Sequence, residues 1–222
     1  MSFVSLFLTK DFIIVTSDGQ ITDTETLEVD QDNFQKFVQL TSYQYFAFTG
    51  NLNLANIVFN RCKKKIRNNN GYCDLKELSI FIKRILEQYI DEAYCCIVLC
   101  GFDKNNNPEY YYIHTLYSCI DSQILFNDGW LFRVLTSDHL EVGVHEITSN
   151  LESYFEKEEA DFKNPEIVIA KLNGINSLVS QHDISVNDMF YYHVINRKYS
   201  YKEIILNLIN KFRAKLGKLH SQ

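Results

Sequence analysis

Two runs near the start of the chain, Phe3 to Leu8 and Phe12 to Ser17, are apolar, β-branched or aromatic at nearly every position. A third run, Ala93-Tyr94-Cys95-Cys96-Ile97-Val98-Leu99-Cys100, has the same character. A strand with one wet face alternates apolar and polar residues, whereas a strand without that alternation needs cover on both faces. Several such strands in one chain demand a layered fold, because a sheet open to water on one side would expose half of these side chains.

The remaining elements follow from period and punctuation. Thr9-Lys10-Asp11 separates the first two runs as a turn, and Asp18-Gly19-Gln20 opens a polar stretch that reaches Asp32. Strands are expected over Phe34 to Leu40 and Tyr43 to Phe48, joined tightly at Thr41-Ser42 as a hairpin. After Gly50 the period changes. Leu54, Val58, Cys62 and Ile66 recur every four residues and mark a helix face. Asn68-Asn69-Asn70-Gly71 breaks that helix. A second helix starts at Asp74, with Glu77 at capping-box spacing and a buried stripe of Leu75, Leu78, Ile82, Ile85 and Tyr89.

A second block of strands is expected over Tyr94 to Phe102, Glu109 to His114, Ser122 to Phe126 and Trp130 to Thr136. Helices are expected over about Val144 to Glu159 and Pro165 to Gln181, where proline suits the first helical turn. A strand from Met189 to Asn196, with Tyr191, Tyr192 and His193 packed as in a central strand, precedes a C-terminal helix from about Tyr201. The order is strands, two helices, strands, two helices, strand, helix. Stacking two sheets and placing helices outside them satisfies every face. The expected fold is therefore α+β, a four-layer α/β/β/α sandwich of two antiparallel sheets. No repeat, linker or composition break interrupts the chain, so residues 1–222 are read as a single domain.

Composition narrows the function classes. Glycine and proline number 8 and 2 in 222 residues, which excludes collagen-like and Pro/Gly-rich disordered chains. Lys and Arg total 22 against 28 Asp and Glu, a net charge of −6 that disfavours nucleic acid as a bulk electrostatic partner. Lys63-Lys64-Lys65 falls at a helix end, where cations suit the helix dipole, and reads as a solvated face. No apolar run approaches a membrane span, and the opening MSFVSLFLTKDF lacks the basic start and small-residue cleavage site of a signal peptide. The six cysteines show no CxxC pairing. In the apolar run, alternation puts Cys96 and Cys100 on one strand face and Cys95 on the other, as small buried hydrophobes. A reduced, cytoplasmic protein without metal or other cofactor is expected.

Several segments, taken together and in order, resemble the proteasome-like branch of the N-terminal-nucleophile hydrolase superfamily. FVSLFLTKDFIIVTSDGQ resembles the first hairpin of proteasome beta subunits and of the proteolytic subunit of the bacterial ATP-dependent two-component protease. NFQKFVQL resembles the strand that carries a catalytic lysine, YFAFTG the strand end before the first helix, and QHDISVNDMFYYHV the segment whose Asp and Ser support the nucleophile. Position by position, the resemblance implies Ser2 as nucleophile once Met1 is removed. It implies Asp18 and Lys36 as a supporting charge pair, and Gly50 as an oxyanion N–H donor. Asp183 and Ser185 would orient the N-terminus. Ser137 corresponds weakly to a further family serine, since no glycine or other small residue flanks it as the family turn would have.

The chemistry needs such a set. A hydroxyl requires a base within reach to attack a carbonyl. A free α-amine ionises near ~7.7–8.0, and a neighbouring ammonium lowers that value and favours the neutral base. Two registers remain open. Counting back from Asp18 without a gap reaches Ser2, whereas matching Val4-Ser5-Leu6 to the family strand reaches Met1, which has no nucleophile. Read without the resemblance, Lys36 is an exposed strand lysine, Gly50 a turn glycine, and Asp183 and Ser185 helix-end residues.

The implied function is a proteasome-like amide or peptide hydrolase acting on peptide or protein substrates. A homo-oligomer is expected, with an ATPase as a possible partner and neither nucleic acid nor membrane. The alternatives are a catalytically inactive assembly subunit of the same fold, or a hydrolase of the same superfamily for a small amide. The C-terminal stripe Tyr201, Ile204, Ile205, Leu208, Ile209, Phe212 and Leu216 reads as a helix docked on its own domain.

Overall fold

The structure is a computed structural model and describes residues 3–23, 26, 28–90, 93–115, 120–124, 129–136 and 162–197. The helix expected over Val144 to Glu159, the C-terminal helix, Ser2, Ser137 and Cys119 all lie outside these residues.

Strands β1 (Phe3–Thr9) and β2 (Phe12–Ser17) form the expected hairpin. The Thr9 hydroxyl caps its turn, accepting from the Phe12 amide (3.0 Å) and donating to the Phe12 carbonyl (2.9 Å). Every residue of both strands is buried, as their lack of alternation requires. In this sheet β1 and β2 are flanked by β10 (Trp130–Thr136) and β11 (Tyr191–Asn196), in the order β10-β1-β2-β11. The second sheet has the order β5-β6-β7-β8-β9, with β5 at Phe37–Thr41, β6 at Gln44–Gly50, β7 at Cys95–Phe102, β8 at Pro108–His114 and β9 at Ile120–Ile124. All pairings in both sheets are antiparallel.

Three apolar clusters glue the layers. Val4, Leu6, Leu8, Ile13 and Val15 of the first sheet meet Phe37, Tyr45, Ala47, Cys96, Val98 and Cys100 of the second. On the outside of the second sheet, Cys95, Ile97 and Leu99 pack under α1 (Leu52–Asn68) and α2 (Leu75–Leu86). On the outside of the first, Phe3, Phe7 and Ile14 pack under α3 (Pro165–His182) through Val168, Leu172, Ile175 and Val179. This is the α+β four-layer sandwich. Its cysteines split as alternation predicts: Cys96 and Cys100 lie between the sheets and Cys95 under the helices.

The helices start and stop for identifiable reasons. Asn51 caps α1 by accepting the Leu54 amide (2.9 Å), and Asp74 caps α2 by accepting the Lys76 and Glu77 amides. Beyond α1, Asn70 and Gly71 take left-handed φ values of 57° and 84°, and the Gly71 amide reaches back to the Ile66 carbonyl (2.9 Å). Tyr89 sits in a short 3-10 turn after α2 and packs partly buried against the same cluster as the helix stripe.

Three readings need correction. The polar stretch to Asp32 holds a small ribbon, β3 (Ile21–Thr22) with β4 (Val29–Gln31). Its β4 residues are all exposed and leave no apolar signature. Strand β5 begins at Phe37, so Lys36 precedes it and is fully buried instead of exposed. Among the described residues β11 is paired only with β2, at one end of its sheet. Tyr192 and His193 are exposed there, although the His193 ring stacks on Tyr45 at 4.5 Å.

Glu109 of β8 is 4% exposed and accepts the Tyr111 hydroxyl (3.1 Å). Burial pushes its carboxyl up from the ordinary glutamate value to about 7, and the nearby Asp74 and Asp103 charges add to that rise. The folded state therefore holds this proton more tightly than the unfolded chain. Its contribution to stability is complete below the ordinary glutamate value and is lost as pH rises through about 7. Urea unfolding across that window should show stability falling with pH in the wild type and a flatter profile in Glu109→Gln.

Candidate active site

The site lies where strand ends from the two sheets meet. Asp18 follows the last residue of β2, and Lys36 precedes the first residue of β5. Both side chains are fully enclosed, and Lys36 Nζ stands 2.5 Å from Asp18 Oδ1. Asp18 Oδ1 also accepts the Phe3 amide (2.8 Å), and its Oδ2 accepts the Gln20 amide (2.8 Å). In return the Asp18 amide donates to the Phe3 carbonyl (3.1 Å). Phe3 and Asp18 are thus clamped to each other, in step with the bulge-free β1–β2 ladder that pairs Val4 with Ser17.

The Lys36 backbone is fixed as well. Its amide donates to Ser17 Oγ (3.2 Å), and its carbonyl accepts the Phe48 amide (3.0 Å). Two opposed charges without water would each cost several kcal/mol in isolation, and they persist only when paired and hydrogen-bonded. Burial pulls the Lys36 ammonium down from its ordinary range, against the opposing pull of Asp18 and, more weakly, Asp183. Burial pushes Asp18 up, against Lys36 and the two backbone donors. Burial thus draws the two groups toward each other in proton affinity, with Lys36 more ready to give up a proton than a surface lysine.

Asp183 caps the C-terminal end of α3. Its Oδ1 accepts both the amide (2.9 Å) and the hydroxyl (2.5 Å) of Ser185. Its Oδ2 is buried with no hydrogen-bond partner among the described residues. The segment is tied to Asp18 through Gln20, whose Nε2 donates to the Ile184 carbonyl (2.8 Å). Thr49 Oγ1, on the β6 face shared with Tyr45 and Ala47, is a second buried polar atom without a partner among these residues.

Gly50 ends β6 two residues beyond Phe48, at the entry to α1. Its φ is +87°, and a Cβ built there would meet the Tyr94 carbonyl at 2.6 Å. Only glycine fits both conditions. The next amide, that of Asn51, donates to the same Tyr94 carbonyl (2.8 Å).

The expected residues Asp18, Lys36, Asp183 and Ser185 therefore converge, and Gly50 stands on the strand that flanks Lys36. Thr136, the last residue of β10, pairs with Phe3 at the same end of the sheet. Sequence reading missed Ser17, Gln20, Thr49 and Asn187. Asn187 accepts the Gly19 amide (2.8 Å) and donates to the Asp32 carbonyl (2.8 Å). Their one sequence signal is a small polar residue at the edge of an apolar segment, which is too common to single them out. Among the described residues no three His, Cys, Asp or Glu side chains are placed to hold a metal ion.

Removing one member of the pair leaves a buried charge alone. Lys36→Met and Asp18→Ala should each lower unfolding stability in urea by about 3–5 kcal/mol. Asp18→Ala should cost more, since it also orphans the Phe3 and Gln20 amides. The double substitution should cost less than the sum, because neither charge is then stranded. Gly50→Ala should cost about 1–3 kcal/mol through its backbone conformation.

No curated protein matches the chain. Among solved structures, eukaryotic HslV from Trypanosoma brucei matches with a TM-score of 0.62 at 12% identity, covering 88% of this chain and 99% of that one. At that identity the likeness is one of fold alone. The model of the proteasome subunit family matches residues 7–124, which take in the end of β1, all of β2, the whole second sheet and the α1–α2 layer. With more than half of its residues matched in this way, the chain belongs to the proteasome subunit family.

Proposed function

We propose that the chain is an amide hydrolase, acting on peptides, in which Ser2 becomes the N-terminal residue and nucleophile after Met1 is removed. The observation that carries this reading is the enclosed Asp18–Lys36 pair, whose Asp18 grips the amide of Phe3, the residue bonded to Ser2. A small second residue permits removal of Met1 and frees the α-amine. The Lys36 ammonium then lowers the affinity of that amine for a proton, and the unpartnered Asp183 Oδ2 supplies an acceptor for it.

In the reaction the Ser2 hydroxyl proton passes to the α-amine as Oγ bonds to the substrate carbonyl carbon. The oxyanion is stabilised by the Gly50 N–H at the entry to α1. As the carbon–nitrogen bond breaks, the ammonium returns the proton to the leaving amine and an ester remains. Water, activated by the same amine, cleaves the ester and restores Ser2.

Family membership supports assembly into a homo-oligomer, with an ATPase as a candidate partner. The five described cysteines are buried thiols, and the chain is read as a protein of a reducing compartment such as the cytoplasm. A second reading has its own support. A fully buried Asp18–Lys36 pair ties the two sheets together whether or not a nucleophile stands beside it, as a non-catalytic assembly subunit would need. A hydrolase for a small amide would use the same groups.

Intact mass of the purified protein should show loss of Met1. A peptide vinyl sulfone should add once, at Ser2, and Ser2→Ala should abolish the adduct. Lys36→Met should slow labelling by about 10²-fold or more. Retained Met1, or labelling that survives Ser2→Ala, would overturn the proposal, whereas an oligomer that never labels supports the assembly subunit.

A further inference from the structure

We propose that Asn187 is a positioning residue, whose side-chain amide holds the backbone that carries Asp18 and the backbone that carries Lys36 at a set separation. The residue lies between α3 and β11, outside the Asp18–Lys36–Asp183–Ser185 set. Its Oδ1 accepts the amide of Gly19, the residue after Asp18 (2.8 Å). Its Nδ2 donates to the carbonyl of Asp32, four residues before Lys36 (2.8 Å). The amide can take only this orientation, since a flip would set N–H against N–H and oxygen against oxygen.

A second tie closes the figure. The Phe34 amide donates to the Gly19 carbonyl (2.8 Å), so both polar groups of Gly19 are used to hold the two segments in register. Asn187 is itself fixed from α3. The fully buried Asn176 donates through Nδ2 to the Asn187 carbonyl (3.2 Å) and to the Met189 carbonyl (3.3 Å). Gly19 has no Cβ because one would lie 2.8 Å from Met189 Cβ and 3.3 Å from Asn187 Oδ1. The close approach that the clip needs is therefore built into the neighbouring turn.

The consequence falls on Lys36. Its charge faces Asp18 and Asp183, and no backbone hydrogen bond links the 32–34 segment directly to the α3–β11 segment that carries Asp183. Asn187 supplies such a link at Asp32, beside the exposed Tyr191 hydroxyl, which donates to Asn33 Oδ1. Without Asn187 the segment before Lys36 is held by the Phe34–Gly19 bond and by that exposed contact, water gains access, and the burial that depresses the ammonium is relieved. The inference rests on the hydrolase reading only for its kinetic consequence.

The test uses the full chain carrying 13Cε,15Nζ-labelled lysine, with the Lys36 titration followed by NMR. In the wild type Lys36 should titrate below the surface lysines. Asn187→Ala should move it up toward their range, by on the order of one pH unit. Asn187→Asp keeps an acceptor for Gly19 but loses the donor to Asp32, and should shift Lys36 the same way; it carries the test if Asn187→Ala does not fold. Labelling of Ser2 should slow by roughly tenfold, with the affinity for the peptide unchanged. A variant with a lower unfolding midpoint but an unmoved Lys36 titration would overturn the proposal and leave Asn187 a structural residue. A wild type that never labels would overturn the hydrolase reading alone, because the titration is read without any reaction.

Discussion

A lysine and an aspartate shut away from water at the junction of two sheets are the constraint on which the rest depends. Neither charge is tolerable there alone. Their presence requires a partner at bonding distance, backbone donors for the spare carboxylate lone pairs, and strand ends that do not drift. Each requirement is met by a named group: the Phe3 and Gln20 amides on Asp18, Ser17 Oγ on the Lys36 amide, and Phe48 on the Lys36 carbonyl. The same bonds fix the start of β1, because the Phe3 amide is gripped by the carboxylate that holds the lysine.

The sandwich makes this arrangement possible. Two sheets that bury both faces bring the ends of β2 and β5 together without water between them. The outer helices complete the enclosure, and α3 also delivers Asp183 from its C-terminal end. The site is thus assembled from three segments distant in sequence, each rigid because it is the end of a packed element. Among the described residues, Asp183 Oδ2 and Thr49 Oγ1 are buried polar atoms without a partner, which native structures seldom leave unsatisfied.

Much of this was legible in the residues. Non-alternating apolar runs demanded two covered faces, and helix stripes with their caps placed the starts of α1 and α2, although the stripe of α2 ran on to Tyr89, in the 3-10 turn beyond Leu86. Asp18, Lys36, Asp183 and Ser185 were legible through the order of family-like segments. The short exposed ribbon β3–β4 was not, because a strand that buries nothing leaves no apolar period. Asn187 was not legible either: an asparagine near a turn is ordinary, and its two partners lie 168 and 155 positions away.

The sequence by itself determined the layering, the starts of α1, α2 and α3 and the split of the cysteines between strand faces, because these follow from local period, capping residues and the cost of exposing apolar surface. Only the tertiary structure decided that Lys36 is enclosed, that Asp18 holds both Lys36 and the first residue of β1, and that β11 lies at one end of its described sheet. The reason is physical. Period reports which face of an element is apolar, but a charge is buried only when a partner from elsewhere in the chain arrives at bonding distance. That depends on how strand ends from different sheets are brought together.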